Sequence, residues 1–324
     1  MSRIYLDHAA TSPLRPEAHK AMEEGFAIWA NPSSPHADGR RAKSALEDAR
    51  DRVKSALDWE GEIVFTSGAS EALALGLGRA KASRRIVSAV EHDAVFRAAP
   101  DAEMFDDNVA LGKDCVLAIQ HVNPETGTIN PVSQMAGVVK QTDALVLSDC
   151  SQGAGKLPLP DVDMAVISAH KFGGPIGVGA LLVRDFKLLE PTGGHERGYR
   201  AGTENLPAIM GMAAALEAGD WATSPQDRAD FIGGLGDDVL KLGEQVDYIV
   251  PLVHPSMSAQ ALVIRLDAMG FAVSAGSACS SGTLKSSQVL AAFGVDEDIA
   301  RRTIRVSAGW STTVADLQGF AQAW

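Results

Sequence analysis

Cysteine is scarce in this 324-residue chain, which has only Cys115, Cys150 and Cys279. So small and odd a count excludes a disulfide framework. Long apolar runs are missing too. No stretch reaches the about 18 apolar residues that a membrane span needs. The N-terminus, Met1-Ser2-Arg3-Ile4-Tyr5-Leu6-Asp7-His8, lacks the apolar core of a signal peptide, so a cytoplasmic protein is expected. Runs of Lys and Arg are absent, and the formal net charge is −12. Nucleic acid and anionic membranes are therefore poor partners. No histidine pair has metal-ligand spacing, so no metal site is expected. Internal repeats and low-complexity tracts are also absent.

What the chain does contain is strand-length apolar runs alternating with helical ones. Glu62–Thr66, Arg85–Val90, Cys115–Ile119, Ala144–Ser148, Met164–Ser168 and Gly179–Val183 read as strands. Helical stretches begin at Ser70 and cover Ser133–Lys140. This alternation predicts an α/β fold, a mainly parallel doubly wound sheet flanked by helices. Beyond Glu204 the pattern turns to long helices, Leu206–Ala218 and Gln226–Leu242, then to shorter strands and helices. A large cofactor domain over 15–222 is expected, with 1–14 and 223–324 forming a smaller α+β domain. With 46% hydrophobic residues, both can hold a core.

The most informative stretch is Ser168-Ala169-His170-Lys171. The run Met164–Ile167 delivers a lysine to a strand end, where it is placed to form a Schiff base with a carbonyl cofactor. Asp149 also ends an apolar run, Ala144–Ser148. Alone, the two would read as a surface lysine and a capping aspartate. Together they suit pyridoxal phosphate (PLP): the lysine holds the aldehyde and the carboxylate keeps the pyridine nitrogen protonated. Thr66-Ser67-Gly68-Ala69-Ser70-Glu71 is a strand, a small-residue turn and a helix start, the arrangement of a phosphate cradle. Ser168 and His170 flank the lysine and can add donors. His92 follows another strand, on the side where open α/β sheets bind ligands. Cys115 and Cys150 sit in apolar context, as buried small hydrophobes do. Cys279 lies instead in Ser274-Ala275-Gly276-Ser277-Ala278-Cys279-Ser280-Ser281-Gly282, a run too small and polar for a core.

Motifs along nearly the whole chain resemble those of the cysteine desulfurases, PLP-dependent enzymes of the class V aminotransferase family and fold type I. They are Tyr5–Thr11, Asn31–His36, Phe65–Ala72, Glu91-His92, Ser168–Lys171, His195–Thr203, Gly276–Ser281 and Ile304–Ser307. The resemblance implies that Lys171 binds the cofactor aldehyde and moves protons at the substrate Cα. It implies that His92 stacks on the ring, Asp149 pairs with its nitrogen and Gln152 bonds its phenolic oxygen. Ala69, Ser70, Ser168 and His170 are implied phosphate ligands. Thr203 is implied to reach the phosphate of the other subunit of a homodimer, and Arg305 to grip the substrate carboxylate, for which its planar fork is suited. Cys279 is the implied nucleophile. Its thiolate takes sulfur from L-cysteine, leaves L-alanine and passes the persulfide to an acceptor protein, as in iron–sulfur cluster biogenesis. A Gly/Ser-rich loop suits a thiol that must reach a cofactor and then an acceptor.

Two departures stand out. Many relatives read Asn-Asn-Glu where this chain has Asn123-Pro124-Glu125. Proline has no side-chain donor, so Asn123 becomes the expected substrate-side replacement. The chain also ends at Trp324, before the tail that helps relatives dock a scaffold. Selenocysteine lyase, or another β-eliminating enzyme of the family, is the alternative activity. A PLP-binding partner protein with impaired catalysis is the alternative of another class.

Overall fold

The computed structural model describes residues 3–106, 108–276 and 287–324. The chain divides into two compact units. The larger is Pro13–His121 with Asn130–Gly219, and the smaller is Met1–Ser12, Val122–Ile129 and Asp220–Trp324. The excursion Val122–Ile129, which joins the smaller unit, has no signature in the sequence pattern.

Seven strands form the sheet of the larger unit, in the order Glu62–Thr66, Gly179–Val183, Met164–Ser168, Leu145–Asp149, Cys115–Ala118, Arg84–Val87, Glu103–Met104. Gly179–Val183 is antiparallel to both of its neighbours. The remaining pairs are parallel. The sheet is covered on both faces, and the side chains alternate between two cores with the period of two that a strand imposes. Ile63, Phe65, Leu117, Val146, Ala165, Ile167, Ala180 and Leu182 face one core. Val64, Val116, Leu147, Met164, Val166, Leu181 and Val183 face the other. The first face is covered by Pro16–Ile28, Ala37–Ala56, Val132–Val139 and Leu206–Ala218. The second is covered by Ala69–Arg79 and Asp93–Ala98.

Every parallel strand therefore ends at the same edge. The turns after Thr66, Val87, Ala118, Asp149 and Ser168 all emerge there. Arg84–Val87 is shorter than the expected run to Val90, because the chain turns at Ser88, whose N–H still bonds Ala118 O at 3.2 Å.

In the smaller unit, Ser274–Ala275, Thr303–Ser307 and Ile249–Val253 form an antiparallel sheet. Ile4–Tyr5 pairs in parallel with Phe271–Ala272. The core joins Leu6, Leu252, Ile304, Val306, Leu317 and Phe320. The helix expected over Gln226–Leu242 is Pro225–Leu235 instead. Gly236 ends it at φ +57°, a left-handed conformation that glycine adopts without steric cost. Val122–Ile129 is held by Val246 N–H donating to Gly127 O at 2.9 Å and by Gln245 Nε2 donating to Thr126 O at 2.6 Å. Among the described residues, no helix is long and apolar enough to cross a membrane.

Helix Leu206–Ala218 is buried through Leu216, and its packing requires glycine on the helix it meets. A Cβ on Gly25 would lie 2.6 Å from Pro207 Cα, a backbone atom that cannot rotate away. Gly25→Ala gains about 1 kcal/mol of helix propensity but overpacks the crossing at roughly 1–3 kcal/mol. The urea midpoint is expected to fall. Gly233→Ala, in helix Pro225–Leu235 with nothing within 4 Å of its Cβ position, should not lower it. An unchanged or raised midpoint for Gly25→Ala would show that the helices separate without cost.

Candidate active site

Strand order and register place the phosphate-cradle turn beside the lysine turn. Thr66 and Ser168 pair with Gly179 from opposite sides. Gly179 permits the approach, since a Cβ there would sit 2.8 Å from Gly68 Cα. Gly68 has φ +150° and caps helix Ala69–Arg79 without a side-chain hydrogen bond. The space where its own Cβ would be is open. The turn thus offers backbone N–H groups and a helix N-terminus with no side chain in the way.

Lys171 ends a short 3-10 turn, Ala169–Lys171, directly after strand Met164–Ser168. Gly173, at φ +91°, and Gly174, whose N–H bonds Ala169 O at 2.9 Å, fold the chain back after it. Asp149 ends the adjacent strand and pairs with Val166. Its Oδ1 accepts the Ser151 N–H at 2.9 Å, which orients the carboxylate. Gln152 and Ser168 are buried.

His92 caps helix Asp93–Ala98, with Nδ1 accepting the Ala94 N–H at 3.1 Å. That bond fixes the neutral tautomer with its proton on Nε2. Burial lowers the His92 pKa; Asp149 opposes the shift and Lys171 adds to it. The ring therefore lies within electrostatic reach of both.

Positive charge is crowded around the lysine turn. Burial, then Lys171 and Lys156, hold the His170 pKa down at about 4. Burial and Lys171 hold Lys156 down at about 7. Three basic groups that disfavour one another's protons form a site that a phosphate dianion would relieve. With the lysine amine and the strand-end carboxylate, this donor set fits a phosphorylated aldehyde carrying a basic ring nitrogen.

Lys156 was not among the residues expected from sequence. Its only signal there is a lysine in a Gly-Lys-Leu-Pro turn, Gly155–Pro158. Glu91 is a second addition. It is fully buried, and Oε1 accepts the Gln120 N–H at 2.7 Å. Burial pushes its carboxyl well above the ordinary range; the Gln120 bond opposes this and Asp149 adds to it.

Thr203 is exposed, after Gly202 at φ +92°. Two ion pairs organise its segment. Glu196 is buried and accepts two bonds from Arg50, both at 2.9 Å, and one from the Phe65 N–H at 2.8 Å. Arg50 also lies over the Phe65 ring, 4.8 Å from its centroid. Glu196 and Arg197 take left-handed φ values of +46° and +57°, at a cost of roughly 1–3 kcal/mol each that these bonds offset. Arg200 Nε reaches Glu71 at 2.9 Å, linking the segment to the first turn of helix Ala69–Arg79.

The other expected substrate-side residues belong to the smaller unit. Arg305 lies mid-strand, paired with Ser274 and Pro251, and is buried. Its Nη1 donates to Pro124 O and its Nη2 to Asp7 Oδ1, both at 2.8 Å. Its Nε is buried, with no acceptor among the described residues. Asn123 Oδ1 accepts from Glu125 N and Thr126 N at 2.9 Å and from Thr126 Oγ1 at 3.1 Å. Asn123 Oδ1 thus builds the turn that presents the Pro124 carbonyl to Arg305. Glu125 Oε2 accepts from Ser287 Oγ at 2.6 Å. Cys279 lies outside the described residues.

Cys115 and Cys150 are buried. Burial raises both thiol pKa values, that of Cys150 to about 12, which leaves little thiolate at neutral pH. Among the described residues, no group of three or more His, Cys, Asp or Glu could hold a metal ion.

The class V aminotransferase family model matches residues 4–107 and 99–224. The chain is 34% identical to the cysteine desulfurase IscS of Dictyoglomus turgidum, over 97% of this chain and 91% of that one. Its fold superposes on a NifS-like protein from Rickettsia africae with a TM-score of 0.86 and 27% identity, covering 99% and 98% of the two chains. It also superposes on SspA, solved in complex with cysteine, with a TM-score of 0.81 and 26% identity, covering 95% and 99%.

The His170 environment sets a pH dependence. Its pKa is about 4 in the fold and 6.5 as the ordinary value. Between those values the unfolded chain binds the proton and the folded chain does not, so stability falls as pH drops from 6.5 toward 4. Because the ring is only half-buried, the effect is of order 1 kcal/mol. Cofactor-free wild type should lose more stability than His170→Asn between pH 7 and pH 4.5. Equal losses in chemical denaturation would show that His170 is not held neutral.

Proposed function

Because the chain belongs to the class V aminotransferase family, and within it to the cysteine desulfurases, we propose that it converts L-cysteine to L-alanine and holds the sulfur as a persulfide on Cys279 for an acceptor protein. The observation that carries this reading is the lysine turn. Lys171, Asp149 and His92 converge at one sheet edge, beside a cradle where His170, Lys156 and Lys171 crowd positive charge together. That combination fits PLP, the cofactor the family implies.

When bound, PLP supplies an electron sink that weakens bonds at the substrate Cα. The protein's own part is to position groups and move protons. Lys171 Nζ would hold the aldehyde carbon and, once the substrate amine displaces it, carry protons to and from Cα. Asp149, oriented by Ser151, would keep the ring nitrogen protonated. His92 would lay its neutral ring on the cofactor face, with Nδ1 already committed to Ala94. Gln152 would bond the phenolic oxygen.

The N–H groups at Ala69 and Ser70, the Ser168 hydroxyl and His170 would hold the phosphate, with Lys156 adding positive charge. Thr203, exposed in the single chain, would reach the phosphate of a second copy in a homodimer. Arg305 would take the substrate carboxylate with guanidinium N–H groups beyond those that reach Pro124 O and Asp7 Oδ1. The Cys279 thiolate would attack the substrate sulfur. An S–S bond forms as the Cβ–S bond breaks, and the carbon keeps the electron pair and takes a proton to become the alanine methyl. The raised thiol pKa values of Cys115 and Cys150 support giving this role to the third cysteine.

The test is a brief L-cysteine pulse on the holoenzyme, followed by alkylation and mass spectrometry. An extra sulfur on Cys279, and alanine equal to the sulfide released on reduction, are expected. Cys279→Ser should bind cysteine without releasing sulfide, since a hydroxyl is far less nucleophilic than a thiolate. Lys171→Ala should retain no cofactor after borohydride treatment. Undiminished sulfide from Cys279→Ser, or the extra sulfur on Cys115 or Cys150 alone, would overturn the reading.

A further inference from the structure

We infer that Asp7 is a positioning residue, a built-in carboxylate that shares the Arg305 guanidinium with the substrate and so sets how tightly the substrate carboxylate is held. The inference rests on the proposed role of Arg305 as the carboxylate binder. Four observations in the smaller unit carry it.

First, Asp7 Oδ1 accepts from Arg305 Nη2 at 2.8 Å, and the arginine side chain is only 5% exposed against 21% for the aspartate. A pair this buried is screened far less than a surface pair. Second, Arg305 Nη1 is fixed by the Pro124 carbonyl at 2.8 Å, so the guanidinium plane is held at two corners. Third, Nη1 and Nη2 each carry a second N–H beyond the one that reaches Pro124 O or Asp7 Oδ1. Asp7 and Pro124 thus use two of the five guanidinium N–H groups, on a fork whose geometry suits a second carboxylate.

Fourth, the backbone around Asp7 is fixed independently of its side chain. The Asp7 carbonyl accepts from Ala10 N at 3.0 Å and Thr11 N at 3.3 Å, and the Leu6 carbonyl accepts from Ser307 N at 2.8 Å. Tyr5 shares the environment. Burial and Asp7 raise its hydroxyl pKa, and Arg305 opposes them.

The consequence is electrostatic. A substrate carboxylate arriving at an isolated Arg305 would meet a full positive charge in a low-dielectric site. With Asp7 in place it meets a pair of near-zero net charge. Asp7 thus trades affinity for orientation, lowering the attraction for any carboxylate while holding the fork still.

The isosteric Asp7→Asn removes the charge and keeps an oxygen that can accept from Nη2. In the holoenzyme, Asp7→Asn should lower KM for L-cysteine by about three- to tenfold, the size of a partly buried charge coupling, with the change falling on KM rather than kcat. The dissociation constant of L-alanine, read from the cofactor absorbance without turnover, should fall by a similar factor. Asp7→Ser, which also removes the charge, should shift both constants the same way and serves if Asp7→Asn folds poorly. Arg305→Gln should raise both constants at least tenfold and abolish the effect of Asp7→Asn in the double variant. If Arg305→Gln weakens binding but neither Asp7 variant tightens it, the inference on Asp7 fails while Arg305 keeps its role. If Arg305→Gln leaves both constants unchanged, the role of Arg305 fails and the inference on Asp7 fails with it.

Discussion

A parallel sheet covered on both faces has no solvent-facing surface except at the ends of its strands, and this constraint governs the chemistry of the larger unit. Strands such as Met164–Ser168 and Gly179–Val183 are buried at every residue, so a polar group within them would need a buried partner. Functional side chains are confined to the turns. Because the parallel strands run the same way, their turns converge at one edge. Lys171, Asp149, His92 and the Gly68 turn come from distant points in the sequence and meet there through backbone pairing alone. Gly179–Val183, the antiparallel member, contributes a glycine at this edge. The missing Cβ on Gly179 lets the cradle turn lie against the lysine strand.

The larger unit cross-links that edge with two ion pairs, one buried and one half-buried. Arg50 and Glu196 meet fork to fork, with the Phe65 N–H and the Ile63 carbonyl completing their shell. Removing one member of such a pair leaves an unpaired buried charge, at roughly 3–5 kcal/mol. The pair ties helix Ala37–Ala56 and strand Glu62–Thr66 to the segment carrying Thr203. Glu71 and Arg200 make the second tie. The Thr203 segment is thus held by residues that take no part in the proposed chemistry.

The sheet was legible because fully buried strands write uninterrupted apolar runs, and the runs ending at Asp149 and Ser168 also announced the residues that follow them. Less legible was whatever depends on distant pairing. Asp7 and Arg305 are 298 residues apart, and nothing local marks them as partners. Lys156 looks like an ordinary surface lysine until the fold sets it beside His170 and Lys171. The part Asn123 Oδ1 plays in closing the Asn123–Thr126 turn was also not written in the sequence. The helix expected over Gln226–Leu242 ends at Leu235. Gly236 stops it through a backbone angle that composition does not reveal.

The excursion Val122–Ile129 has a consequence for how the chain is made. Neither unit is a continuous piece of sequence. On the ribosome, strand Ile4–Tyr5 has no partner until Phe271–Ala272 is synthesised, and Val122–Ile129 waits for Gln245 and Val246. The larger unit can complete its core once helix Leu206–Ala218 has emerged, while the first twelve residues and an internal loop are still unpaired. Pairings of such long sequence separation are slow to form. Connectivity therefore lets the larger unit complete its core before the part of the chain carrying Arg305 can bring it to Asp7.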